Sequence, residues 1–199
     1  MNLEVECTWN NNKNKGKVNI SYLALPENFF KLNEEELKKI LELEKDFMLK
    51  GPPALKELEE MYKTHPDSQY VALAYYQGLR GFELLDEAEE AFNEIKSKFP
   101  DALITKCIEA HILLEEEDIE GFEKIFNGEQ VLKAAYPDRE RFHFKEALLF
   151  HSCWGIYFSH SGDITKMQKH EQFIGLILNT LKAFNNPVKP QESIKEENS

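Results

Sequence analysis

The sequence predicts an all-α fold: stacked antiparallel helix pairs in a right-handed solenoid of about four units, preceded by a short N-terminal β-hairpin or extended arm. Three observations predict it. Apolar residues recur at helical spacing through residues 33–184. The dipeptide Pro-Asp occurs at Pro66-Asp67, Pro100-Asp101 and Pro137-Asp138, with spacings of 100 − 66 = 34 and 137 − 100 = 37. A second break falls inside each unit, near Leu84-Leu85-Asp86, at Glu117-Asp118 and at Ser161-Gly162-Asp163. Two helices per ~34 residues form a hairpin that cannot bury its apolar face alone, so such hairpins stack.

The chain divides into an arm (1–32), a helical-repeat domain (33–184) and a polar tail (185–199). In the arm, Leu3, Val5, Cys7 and Trp9 alternate with polar residues, and Val18, Ile20 and Tyr22 alternate again after an Asn/Lys/Gly stretch. That pattern reads as a hairpin, which needs a helical surface to lie on, or as an extended arm. Asn33 with Glu36 has capping-box spacing. Leu37, Ile40, Leu41, Phe47 and Met48 continue a helical face with Glu44 as its polar exception, and Gly51-Pro52-Pro53 ends it. A second helix over 54–65 turns Leu55, Leu58, Met61 and Tyr62 inward and closes at Pro66. The tail holds Pro187 and Pro190 and few large apolar side chains, so it is expected to be disordered.

At each Pro-Asp, proline cannot continue a helix, and the aspartate is expected to cap the next one. Asp86 is likewise expected to cap the helix that begins with Glu87 and Ala88. The second helices carry a small residue, a large apolar residue four later, another residue three after that, and Pro five further on. These are Ala54, Leu58, Met61 and Pro66, then Ala88, Phe92, Ile95 and Pro100. Phe122 and Phe126 stand at equivalent places in the third unit, where Asn127-Gly128 and three extra residues predict a broken or extended helix. Trp154-Gly155 and Gly162-Asp163 mark the fourth. In these positions the chain resembles the tetratricopeptide repeat family over about residues 34–184. It departs from that family at Tyr76, which stands where a small residue is usual, and in the opening helix, which matches only by its apolar face.

The resemblance implies that the first helix of each pair lines a concave surface that binds an extended or helical segment of another protein. By spacing, that surface would carry Tyr70, Leu73, Gln77 and Arg80 from the second unit. The third would add Ile104, Cys107, Ile108, His111 and Leu114. The fourth would add Leu149, Ser152, Cys153, Ile156, Ser159 and His160. Only Arg80 and Gln77 suit a carboxylate clamp, so an apolar or amphipathic ligand is expected. The expected function is therefore a non-catalytic adaptor, scaffold or chaperone-like module, with another protein or peptide as partner. The alternative reading is that these residues simply fill the groove.

Composition narrows the alternatives. The net charge is −12, from 36 acidic and 24 basic residues. That argues against nucleic acid and anionic membranes, both of which attract basic patches. No apolar run approaches the ~20 residues of a membrane span. Met1–Glu6 lacks a basic leader, and Cys7, Cys107 and Cys153 are few and widely spaced, so reduced thiols in a cytoplasmic protein are expected. No nucleophile elbow, phosphate loop or dinucleotide glycine pattern occurs, and no catalytic residue or cofactor is assigned. His143, His151, His160 and His170 lie 8, 9 and 10 apart, too far along one helix for a shared ion. Cys107 with His111, four apart, is the better pair, with Cys153 or His160 across the groove, but no metal site is assigned. In the last helix, Phe173, Ile174, Ile177 and Leu181 belong to an apolar surface wider than one face, which predicts a covering partner: a second copy in a homodimer, the N-terminal arm or a client protein.

Overall fold

A computed structural model describes residues 2–9, 13–21 and 30–185. Tyr22, the tail beyond residue 185, and the side chains of Trp9, Met48 and Phe184 lie outside the described set. Two strands come first, β1 (Asn2–Trp9) and β2 (Asn14–Ser21). Six helices follow: α1 (Glu34–Lys50), α2 (Pro52–Thr64), α3 (Gln69–Gly81), α4 (Leu85–Lys98), α5 (Leu103–Glu115) and α6 (Ile119–Ile125). The chain continues with a single-turn α7 (Leu132–Ala135), strand β3 (Arg141–His143), α8 (Phe144–Ser161) and α9 (Ile164–Asn185). Helix makes up 70% of the described residues, so the mostly helical expectation stands, but a three-stranded sheet corrects the all-α assignment.

The arm is the hairpin. β1 and β2 pair antiparallel from Asn2↔Ser21 to Trp9↔Asn14. The alternation works as read: Val18 and Ile20 are buried, while Glu4 and Lys17 meet on the outer face at 2.7 Å. The third strand was not foreseen, because residues 33–184 were expected to be helical throughout. Arg141–His143 runs parallel to β2, with Ile20↔Phe142 at the centre of the register. It supplies the surface a lone hairpin lacks, and β2 also packs on α7 and α8.

Punctuation repeats in geometry as well as in sequence. Within the second and third pairs the turn is the same. Leu84 N–H bonds Leu79 O and Asp118 N–H bonds Leu113 O. Glu83 (φ 59°) and Glu117 (φ 60°), 34 residues apart, occupy the left-handed region before them. This is the six-to-one closure that ends many helices. Gly51 (φ 63°) and Gly162 (φ 74°) hold positive φ at the corresponding turns of the first and last pairs.

The Pro-Asp turns also match one another, but not through capping. His65, Phe99 and Tyr136 each donate N–H to the carbonyl four residues back. Ser68, Ala102 and Arg139 each donate N–H to the carbonyls of those three residues. Pro and Asp are thus the two central residues of a β-turn, where proline's fixed φ suits the first place and aspartate tolerates the second. The cap follows one residue later: Ser68 caps α3 through its side chain, and Ala102 precedes α5 with no side-chain cap. Asp138 leads into strand β3, and Asp86 sits inside the first turn of α4 behind Leu84. Asn33–Glu36 forms the full capping box, and Asp118 caps α6 through Gly121 N–H. The third unit's second helix stops after seven residues, before Gly128 (φ 73°), so it is the broken form.

Apolar burial is divided between two clusters. One joins α1–α4 with Ile104 and Ile108 of α5. The other joins β2, β3, α6, α7 and α8 with Ile177 of α9 and with Leu103, Cys107, Ala110 and Leu114 of α5. Helix α5 is therefore the wall between them, which is why its apolar residues go all round rather than forming one stripe. Ala54, Leu58, Met61, Ala88, Phe92, Ile95, Phe122 and Phe126 all point into these clusters.

Candidate groove site

Helices α3, α5 and α8 bring together Leu73, Tyr76, Gln77, Arg80, Ile108, His111, Glu115 and Leu149 around a cavity of about 260 Å³. On α3, Leu73, Gln77 and Arg80 follow at intervals of four and three. On α5, Ile108, His111 and Glu115 follow at three and four, so each helix presents one face. Leu73 and Ile108 are buried, and Gln77 stands exposed at the rim. Arg80 bridges to Glu115 with two guanidinium N–H bonds of 3.1 and 2.5 Å.

Six of the residues expected on the inner surface thus meet in one place: Leu73, Gln77, Arg80, Ile108, His111 and Leu149. Tyr70 goes elsewhere. It is buried, its hydroxyl donates to Glu44 at 2.8 Å, and the Lys145 ammonium sits 4.6 Å above its ring. Glu44 also pairs with Lys145, which explains the polar exception on the face of α1. Ser152 and Ile156 are half-buried on α8 outside the cavity lining, and His160 is exposed near the helix end. From sequence, Glu115 was assigned no role, although its place one turn beyond His111 was a usable signal. Tyr76 was set aside as a departure from the family pattern.

Beneath His111 lie two buried thiols. Cys153 of α8 donates its S–H to the Cys107 carbonyl at 3.4 Å. Burial works against a Cys153 thiolate, but hydrogen bonds from the Cys107 thiol and the His111 imidazole outweigh it and hold Cys153 below the usual thiol range. Burial raises Cys107, which stays protonated. His111 is raised, chiefly by its hydrogen bond to Cys153. Among the described residues, no group of three or more His, Cys, Asp or Glu side chains is arranged to hold a metal ion.

A second cavity, about 390 Å³, lies over α2, α3 and α4 and includes Tyr62, Tyr75, Glu87, Glu94 and Lys98. Its chemistry is satisfied internally: Tyr62 donates to Glu94 at 2.7 Å and Lys98 sits 5.2 Å over the Tyr62 ring.

The face of α9 expected to meet a partner meets the chain's own α8 instead. Ile177 is fully buried, Phe173 stacks on His151 with ring centroids 3.9 Å apart, and Leu181 packs on the same cluster. Ile174 is half-buried beside this stripe. The inward stripe is Phe173, Ile177 and Leu181, at intervals of four, and it leaves Ile164, Leu176 and Leu178 outside. No helix among the described residues is long and apolar enough to cross a membrane. Comparison with protein-family models, with curated proteins and with solved structures finds no match to this chain.

Proposed function

We propose that this protein is a non-catalytic interaction module, a tetratricopeptide-like stack of helix pairs that holds an apolar or amphipathic segment of another protein against α3, α5 and α8. The observation that carries this reading is the convergence of Leu73, Gln77, Arg80, Ile108 and His111, from two successive first helices, on one cavity with Leu149 of a third. Its volume of about 260 Å³ falls below the ~300–1,000 Å³ of ordinary small-molecule sites. It suits an anchoring side chain from a longer ligand that continues over the rim. The walls given by Leu73, Ile108 and Leu149 favour an aliphatic or aromatic anchor. Arg80 is already engaged by Glu115, so a carboxylate has less to gain here.

The test uses the full chain against a displayed library of amphipathic helical peptides. Gln77→Trp fills the cavity from an exposed rim position, so the fold is retained. Enriched peptides with an apolar stripe that bind this variant at least about tenfold more weakly support the reading. Enrichment of polar peptides, or equal affinity for Gln77→Trp, refutes it.

A further inference from the structure

We propose that Cys107 and Cys153 are a peroxide-responsive thiol pair beside the cavity, which closes to an intramolecular disulfide, with His111 as the group that holds and returns the proton. Three geometric facts carry this. The two cysteines come from packed helices, lie 46 residues apart in sequence and are both buried, with the Cys153 sulfur 3.4 Å from the Cys107 carbonyl oxygen. His111, which Cys153 perturbs more than any other group does, also lines the cavity. Cys107 and His111 are four residues apart on α5, one helical turn, so both face the same sulfur.

These surroundings divide the roles. A thiol that receives hydrogen bonds from an imidazole and a second thiol ionises more readily, and the thiolate is the form that attacks peroxide. Cys153 is that sulfur. Cys107 remains a thiol and is the resolving partner. Both are fully buried, which excludes bulky reagents and leaves a water-sized oxidant, hydrogen peroxide, as the co-reactant that reaches Cys153 past the imidazole.

The chemistry balances in two steps. The Cys153 thiolate attacks one peroxide oxygen: an S–O bond forms, the O–O bond breaks, and the departing hydroxide takes the proton of the His111 imidazolium to leave as water. The Cys107 sulfur then attacks the sulfenic sulfur of Cys153. An S–S bond forms, the S–O bond breaks, and the Cys107 proton, passed through His111, converts the leaving hydroxide to a second water. Two thiols are oxidised and one peroxide is reduced.

The experiment treats the full chain carrying Cys7→Ser with hydrogen peroxide and follows intact mass and the non-reduced peptide map. The expected result is a loss of two hydrogens, a reducible link between the α5 and α8 peptides, and no link when Cys107→Ser is added. That added variant instead accumulates a sulfenic acid on Cys153, read as a gain of one oxygen in the intact mass. His111→Asn slows the oxidation at least about tenfold. The pH profile of the Cys7→Ser rate provides a second reading that does not depend on how that variant folds. A rate that holds nearly constant from pH 8 down to about 6.5 supports the role of His111. A tenfold fall per pH unit below about 8.5, as for an ordinary thiol, overturns it. A protein that keeps both thiols reduced, or that links between chains rather than within one, overturns the proposal as a whole.

Discussion

Lowering the pH from 7 to 5 should remove a large share of this protein's stability, and three histidines set the amount. His151 and His170 meet across α8 and α9 with Nδ1 to Nδ1 at 2.9 Å, so one ring donates and the other must accept. Phe173 stacks on His151, and Phe158 stacks on His170. Burial holds both well below their ordinary pKa, each further depressed by a neighbour: His170 beside His151, and Lys169 beside His170, which is lowered to about 4. His143 is lowered to about 3 by burial, with Lys145 and Arg139 adding to it. It accepts the Lys145 N–H at the start of α8 through Nδ1.

The folded state keeps these rings neutral while the unfolded chain protonates them near pH 6.5, so stability is complete above that pH and falls as the pH drops toward the folded values. Each ring contributes a loss of about 1.8 kcal/mol between pH 7 and 5, or roughly 5 kcal/mol for three. His111 offsets a small part of this: its folded pKa is raised, so its contribution grows as the pH falls from 7 and is full below pH 6.5. Total stabilities are typically ~5–15 kcal/mol, and a urea dependence of ~2 kcal/mol per molar places the midpoint ~2–3 M lower at pH 5. The assay is urea unfolding followed by circular dichroism at half-unit pH steps. His151→Asn with His170→Asn keeps an amide where each Nδ1 lies but does not titrate, and should remove about two thirds of the slope. A wild-type loss below about 1 kcal/mol over this interval, or an unchanged slope in the double variant, would refute the reasoning.

Two further outcomes follow from buried polar groups. Thr105 is buried with no hydrogen-bond partner for its hydroxyl, so Thr105→Val should stabilise by ~1 kcal/mol; a lower melting temperature would contradict this. Glu146 is buried and accepts from Arg139 at 2.5 Å and from His143 N–H at 2.9 Å. Arg139→Ala should therefore cost ~3 kcal/mol by leaving a buried carboxylate without its cation, and Glu146→Gln on that background should restore part of it. A cost below about 1 kcal/mol in urea unfolding would show that the ion pair is not what holds the entry to α8.

Much of the helical plan was legible because its signals are local. Pro66, Pro100, Gly51 and Gly162 each constrain their own φ or their own hydrogen bonding, so helix ends can be read without knowing the neighbours. The aspartates show the limit of that logic. The same dipeptide serves a cap or a β-turn, and only the position of the next donor, Ser68 or Ala102, separates the two. Strand β3 was not legible, since Arg141-Phe142-His143 carries no strand signal apart from its pairing with Asn19–Ser21. Glu44 looked anomalous until Tyr70 and Lys145 appeared beside it. The groove was readable as spacing on α3 and α5, with Leu149 expected on the same surface, but the seating of Cys153 beside His111 depends on how α8 crosses α5. On α9 the excess of apolar residues was plain, yet which stripe faces inward is set by α8.

The parallel ladder between β2 and β3 has a consequence for how the chain is born. Asn19 pairs with Arg141, so the opening hairpin must wait for 141 − 19 = 122 further residues to leave the ribosome before it gains its neighbour. Domains synthesised N-terminus first expose unpaired strand edges in the interval. Through that interval Lys15 and Lys17 on the waiting strand are the kind of charged residue that discourages a stray chain from docking there first.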